Sequence, residues 1–239
     1  MAKAGRPPQD PARQLERAHR ILDAAAELIA RWGYDKTTID DVARRAGVAK
    51  GTIYLHWRTR DQLFGALLRR ERVRLLEEVK ATRPATLHEL FGRFVRTTLS
   101  RPLLRAVLLG DDEVLGKLTR MKRTSTTSLQ LGPHFDAYLD RLIEHGAVRK
   151  EPGDHLIVIS SIVYGFVALP DLLPERSRLS GERIAELVTD TLERAMSTGR
   201  ALPEQDRRAV AQATLDILDA MEEVARRQLA VALGAEERG

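Results

Sequence analysis

The chain has 239 residues, with 39 Lys and Arg against 34 Asp and Glu, a net charge of +5, and no cysteine. The missing thiols exclude disulfide scaffolding, thiol redox chemistry and thiolate metal sites, and fit a reducing compartment without requiring one. The whole excess of charge lies early: residues 1–60 hold 12 basic and 7 acidic side chains, which leaves 27 of each in the remainder. Such clustering is the electrostatic footprint of nucleic-acid binding, and a neutral remainder predicts a second domain with another task.

In chain order, residues 1–14 are rich in proline and small residues and predict a flexible basic arm. Arg6, within Gly5-Arg6-Pro7, is placed to enter a minor groove. Ile21, Leu22, Ala25, Leu28, Ile29 and Trp32 then repeat at helical spacing, and Gly33 ends that helix. Thr37 and Thr38 precede Asp40 and Asp41 at the spacing of a helix start, where a hydroxyl accepts from a free backbone N–H and acids favour the positive end. Ile39, Val42, Ala43 and Ala46 make one apolar face before Gly47 turns the chain. A second short helix from about Ala49 to Trp57 puts Ile53 and Trp57 on its inner side. Its other side carries Lys50, Thr52, Tyr54 and His56, groups suited to phosphate oxygens and base edges. Gly51 costs about 1 kcal/mol in helix propensity relative to alanine, a cost that close approach to a nucleic acid would explain. Thr59 and Gln62 open the next helix, with Arg60 beside free backbone N–H groups that can hold a phosphate.

The stretch GYDKTTIDDVARRAGVAKGTIYLHWRTRDQL resembles the DNA-binding signature of TetR-family transcriptional regulators nearly throughout. The resemblance implies that Tyr54, His56 and Arg60 bind phosphates, that Thr38 anchors the second helix to the backbone, and that Lys50, Gly51 and Thr52 face the major groove. Trp57 stands where that family more often has phenylalanine and Arg60 where it more often has lysine, while Leu55 occupies a place that is often aromatic. Arg44 and Arg45 read as a solvated face, and Trp57 as core.

A fourth helix, about Asp61 to Lys80, leads away from the reader. Helical patterns follow at about 86–100, 102–109, 111–121, 124–145, 154–169, 182–197 and 204–232, with no strand patterns. The expected fold class is therefore all-α: an N-terminal three-helix helix-turn-helix DNA-binding domain plus a C-terminal helical ligand-binding and dimerisation domain. Its expected parts are the arm at 1–14, the DNA-binding domain at 15–61, the regulatory domain at 62–202, and an extra C-terminal helix and tail at 203–239. The extra helix could cover its own domain, extend a dimer or swap onto a partner.

Leu156 to Leu169, LIVISSIVYGFVAL, is apolar on nearly every face yet shorter than the ~20 residues that span a bilayer. Such a helix must be covered on all sides, so one face is expected on its own core and another on a second copy. With Ile184, Leu187, Val188, Thr191, Leu192 and Ala195 striping the next helix, a homodimer through about 154–197 is predicted, as the resemblance also implies. Two readers about one DNA turn apart would then bind a palindromic double-stranded operator.

The resemblance further implies a small-molecule effector in the second domain. Phe91, Phe94, His134, Phe135, Tyr138 and Tyr164 are the candidate lining, fitting a small apolar compound, and Gly132-Pro133, which interrupts a helical pattern, is the candidate mouth. The six histidines, at 19, 56, 88, 134, 145 and 155, lack metal-site spacing, and no glycine-rich phosphate loop, nucleophile elbow or carboxylate pair appears. No enzyme, metal site or cofactor is expected. Nor is there a secretory signal or membrane segment, so a cytoplasmic, nucleoid-associated protein is expected. Two functions fit: a ligand-released repressor, and an effector-independent architectural or cell-cycle DNA-binding protein on the same scaffold.

Overall fold

The computed structural model describes residues 10–109, 127–151, 153–172, 174 and 179–234. Among them the chain is helical, with one isolated bridge between Val148 and Ser197 and no strand. The helices are α1 (Pro11–Trp32), α2 (Ile39–Ala46), α3 (Lys50–His56), α4 (Arg60–Ala81), α5 (Leu87–Leu99), α6 (Pro102–Leu109), α7 (Thr127–Glu144), α8 (His155–Leu172), α9 (Gly181–Met196) and α10 (Glu204–Leu233). The all-α architecture expected from the periodicity is the one observed. The helix expected at 111–121 lies outside the described residues, as do Arg6 and most of the arm.

Three expectations are corrected. Residues 11–14 belong to α1 and not to an arm, because the Asp10 side chain accepts from the Ala12 N–H and Pro11 supplies a first residue already set for helix. Trp32 is on the expected apolar stripe but stays 41 % exposed, with the Arg31 guanidinium 5.8 Å from its ring centre. Gly132-Pro133 does not break its helix: α7 runs through Pro133. Proline there removes one backbone hydrogen bond and clashes with the preceding turn, typically costing ~3 kcal/mol. The buried Tyr138, Leu139 and Leu142 that follow hold the rest of α7 on the core.

Two hydrophobic clusters organise the molecule. The first gathers Ile21, Leu22, Ala25 and Leu28 of α1, Val42 of α2, Ile53 and Trp57 around α3, and Leu63, Phe64 and Leu67 of α4. The second gathers Val73, Leu76 and Val79 from the later half of α4 with residues of α5, α7, α8, α9 and α10. One helix, α4, thus belongs to both. Ala106 of α6 joins the first cluster, while Leu108 packs on the second.

Beside this shared helix lies a charged joint. Arg70, 2 % exposed, donates to the His19 carbonyl of α1 at 3.0 Å and sits 2.8 Å from Asp23, while Glu71 accepts from Arg74 and from Arg101 at 3.1 Å each. A buried guanidinium persists only when paired, and this one is paired across α1 and α4.

The C-terminal α10 packs on its own chain, along α4 and α7. Tyr138 and Thr214 hydroxyls meet at 3.1 Å, Arg141 donates to Asp216 at 2.7 Å, Lys80 to Glu222 at 2.9 Å, and Arg226 to Glu77 at 2.8 Å. Within the chain it therefore covers the later half of α4 and one side of α7.

Candidate nucleic-acid interface

The turn between α2 and α3 is built by Gly47, whose φ of 66° is a left-handed conformation that glycine adopts without a steric penalty. Val48 then donates back to the Ala43 carbonyl at 3.0 Å, closing the helix end. At the other end of α2 Thr38 accepts from the Asp41 N–H at 3.2 Å, and Asp41 accepts from the Thr38 N–H and hydroxyl at 3.2 and 2.5 Å. The Thr38 hydroxyl therefore serves a reciprocal cap worth about 1 kcal/mol, and these bonds hold the Asp41 carboxyl below its ordinary pKa.

On α3 the division of faces follows the sequence. Ile53 and Trp57 are buried, at 0 % and 2 %, whereas Tyr54 is 44 % and Leu55 72 % exposed. Lys50 and Gly51 are exposed and Thr52 is half-buried. A Cβ added at Gly51 would meet nothing within 4 Å. The fold leaves room for a side chain there, so any requirement for glycine comes from outside the chain.

Several candidate residues already have intramolecular partners. Lys50 Nζ lies 2.8 Å from the Asp40 carboxylate of α2, whose hydrogen bond and charge raise the lysine pKa. A phosphate or base would have to replace that partner. His56 is half-buried against the Trp57 ring, 5.3 Å between centres. Burial first, and the nearby Arg17 charge second, lower its pKa, which favours a neutral imidazole that donates one hydrogen bond. Arg60, the first residue of α4, folds its guanidinium over Tyr34 at 4.0 Å from the ring centre and reaches the Thr37 carbonyl at 3.5 Å. The Tyr34 hydroxyl, buried and raised in pKa by that burial, donates to Asp61. Tyr34 and Asp61 therefore fix how α4 begins beside α2. The sequence reading missed both, although an aromatic directly after Gly33 and an acid in the first turn of α4 were signals. Arg45 is held by Glu27 of α1 at 2.7 and 2.9 Å and Arg44 lies 3.5 Å from Asp41, as a solvated face would be.

Of the six residues proposed to line an effector pocket, three come together. Phe91 and Phe135 meet edge to face at 6.2 Å, and Phe135 lies 6.0 Å from Tyr138. Phe94 is half-buried, while His134 and Tyr164 are exposed and do not join them. A cleft of about 170 Å³ lies elsewhere, at the C-terminal ends of α7 and α9, between Leu87, Leu142, Val148, Met196 and Val210. Among the described residues no group of acidic or histidine side chains has the arrangement of a metal site, and no helix is long and apolar enough to cross a membrane.

Residues 21–67 match the family profile of bacterial regulatory proteins of the tetR family, the segment that holds the α2–α3 turn and both of its flanking helices. That segment carries the likeness to tetR-family regulators, and it comprises the N-terminal helices alone. It is 34% identical over 61 residues to the fatty acid metabolism regulator protein of Bacillus subtilis, covering 26% of this chain and 31% of that one. Over 59 residues it is 39% identical to an HTH-type transcriptional repressor of Mycobacterium tuberculosis, covering 25% and 32%. The chain thus spans about a third of the length of these relatives. A crystal structure assigned to the tetR family, from Shewanella sp. PV-4, superposes on 76% of this chain and 98% of its own with a TM-score of 0.50 at 16% identity, a likeness of fold.

Proposed function

We propose that this protein is a TetR-family repressor that binds a palindromic DNA operator as a homodimer and is released by a small-molecule effector. The observation that carries the reading is the outer face of α3, where Lys50, Gly51 and Tyr54 are exposed and Thr52 is half-buried beside the start of α4. Lys50, Gly51 and Thr52 would address base edges, and Thr38, Tyr54, His56 and Arg60 the flanking phosphates, with Arg6 in an adjacent minor groove. Arg60 and Lys50 would exchange their internal partners for phosphate on docking.

Dimerisation is supported by the outer stripe of α8. Leu156, Ile157, Tyr164 and Leu169 are each more than half exposed, with Ser160, Ser161 and Gly165 between them. An apolar stripe of that kind, small at its centre, suits a second copy of the same helix. For the effector, Phe91, Phe135 and Tyr138 supply an apolar wall with one hydroxyl, which favours an apolar compound. It need only prefer the DNA-incompetent arrangement by 1–3 kcal/mol to change operator affinity about 5- to 150-fold.

Selection from random duplex DNA tests the reading. It should enrich a sequence with two-fold symmetry whose half-sites are about one helical turn apart. Enrichment of no motif, or of an unpaired half-site, would overturn the dimeric operator.

A further inference from the structure

The reading head is held to the C-terminal domain through α4 and α6, whose residues pack on both hydrophobic clusters, and through one further contact distant in sequence. The last turn of α10 reaches the head: Ala232 and Leu233 pack on the first hydrophobic cluster. The indole Nε1–H of Trp57, the residue that ends α3, donates to the Ala232 carbonyl at 2.9 Å, across 175 positions of sequence.

The chemistry of this bond is reciprocal. The final four carbonyls of a helix lack intrahelical partners. In α10, Gly234 closes the last turn with φ 72° and its N–H serves Ala230 and Val231. Ala232 receives its donor from Trp57 instead. Trp57 is 2 % exposed, so without Ala232 its indole N–H would be a buried donor facing no acceptor. A phenylalanine ring is smaller than the indole and has no N–H to close the bond.

The other end of α10 is anchored in the regulatory domain. Thr214 meets Tyr138 of α7, Asp216 accepts from Arg141 of α7, and Glu222 accepts from Lys80 of α4. From Thr214 to Ala232 is about 27 Å of continuous helix at 1.5 Å per residue, a stiff rod.

We propose that α10 is a strut that latches the recognition helix to the regulatory domain, with Trp57 as the positioning residue at its tip. The end of α3 is then oriented by α4 on one side and by α10 on the other, and a shift of α7 reaches the reader through α10 without passing through α4. The latch orders α3 before it docks, so less ordering remains to be done on DNA. That last consequence rests on the DNA-binding role proposed above.

Two variants of the full chain test it. Trp57→Phe keeps an aromatic ring and removes the donor together with part of the indole's bulk. A chain stopped after Leu229 loses the latch but keeps the residues of α10 that pack on the regulatory core. Both should raise amide exchange of residues 50–57 by about threefold or more, the loss expected for one hydrogen bond, while the α1 core amides stay protected. In a Trp32→Phe background, where Trp57 is the sole tryptophan, truncation should shift emission excited at 295 nm to the red as the indole meets water. On a duplex selected by the unaltered protein, each variant should bind about three- to tenfold more weakly with unchanged sequence preference. Exchange at 50–57 and Trp57 emission that match the parent would overturn the latch, as would loss of α1 protection, which would make the contact part of the head's folding core. Exchange and emission are read without DNA, so failure to select any duplex counts against the DNA reading alone.

Discussion

The first hydrophobic cluster, around α1 to α3, buries its large side chains and turns polar groups outward, so Lys50, Thr52 and Tyr54 look away from a closed core. The second also buries a continuous core, yet leaves Leu156, Ile157, Tyr164 and Leu169 of α8 uncovered. The bare residues of α8 form one contiguous apolar stripe that costs free energy until something covers it, whereas the exposed apolar side chains of the head, Leu15, Trp32 and Leu55, are scattered over α1 and α3. The difference predicts that substitutions on outward faces act on unlike partners: another copy of the chain for α8, and DNA for α3.

The largest effect should come from placing a charge in the bare stripe. Ile157→Glu would bury an unpaired carboxylate in any α8 dimer, a penalty of several kcal/mol, and sedimentation should show at least a hundredfold weaker self-association with the monomer still folded. A dimer of parental affinity would put the partner surface somewhere other than α8. Next in size is Tyr54→Ala on the exposed face of α3, which should weaken operator binding by about 1–2 kcal/mol through a lost phosphate contact and leave the melting temperature almost unchanged. Equal binding at moderate salt would remove Tyr54 from the interface.

Gly51→Ala separates folding from recognition in one residue. The added Cβ meets nothing in the fold, so the variant should gain up to about 1 kcal/mol of stability from helix propensity while losing operator affinity. A gain in both would mean that DNA does not approach Gly51. The smallest effect is on pH dependence. His19 and His56 have lowered pKa values, both chiefly from burial, with Arg70 adding to the first and Arg17 to the second. The unfolded chain therefore binds more protons than the folded one just below the ordinary histidine pKa of 6.5, and stability falls as pH drops through 6.5 until the lowered values are passed. Carboxyls held low, such as Asp41 and Asp216, lose their contribution only below the ordinary carboxylate range. His19→Gln with His56→Gln should flatten denaturation midpoints measured between pH 7 and 5.5; an unchanged slope would sink the assignment.

Much of the head was legible because its signals are local. The Thr38 cap, the Gly47 turn and the Ile53 and Trp57 spacing concern residues within a few positions of one another, where backbone geometry and helical period decide the outcome. Asp10-Pro11 carried the start of α1 equally locally, but the lack of an apolar stripe over the next residues hid it. The effector candidates fared otherwise: all six are aromatic or imidazole groups on helical segments, and only packing separates the joined Phe91, Phe135 and Tyr138 from the exposed His134 and Tyr164. Arg60 reads as a free phosphate ligand in sequence, yet stacks on Tyr34, 26 positions earlier.

By itself the sequence determined an all-helical chain, the helix-turn-helix motif and an apolar α8, since each rests on spacing along the chain or on bulk composition. Only the tertiary structure decided which face of α8 stays bare, that Arg70 knits α1 to α4, and that the last turn of α10 returns to Trp57. Those outcomes join residues tens to nearly two hundred positions apart, where helical period is silent and mutual burial, with the need to pair every buried donor, selects the arrangement.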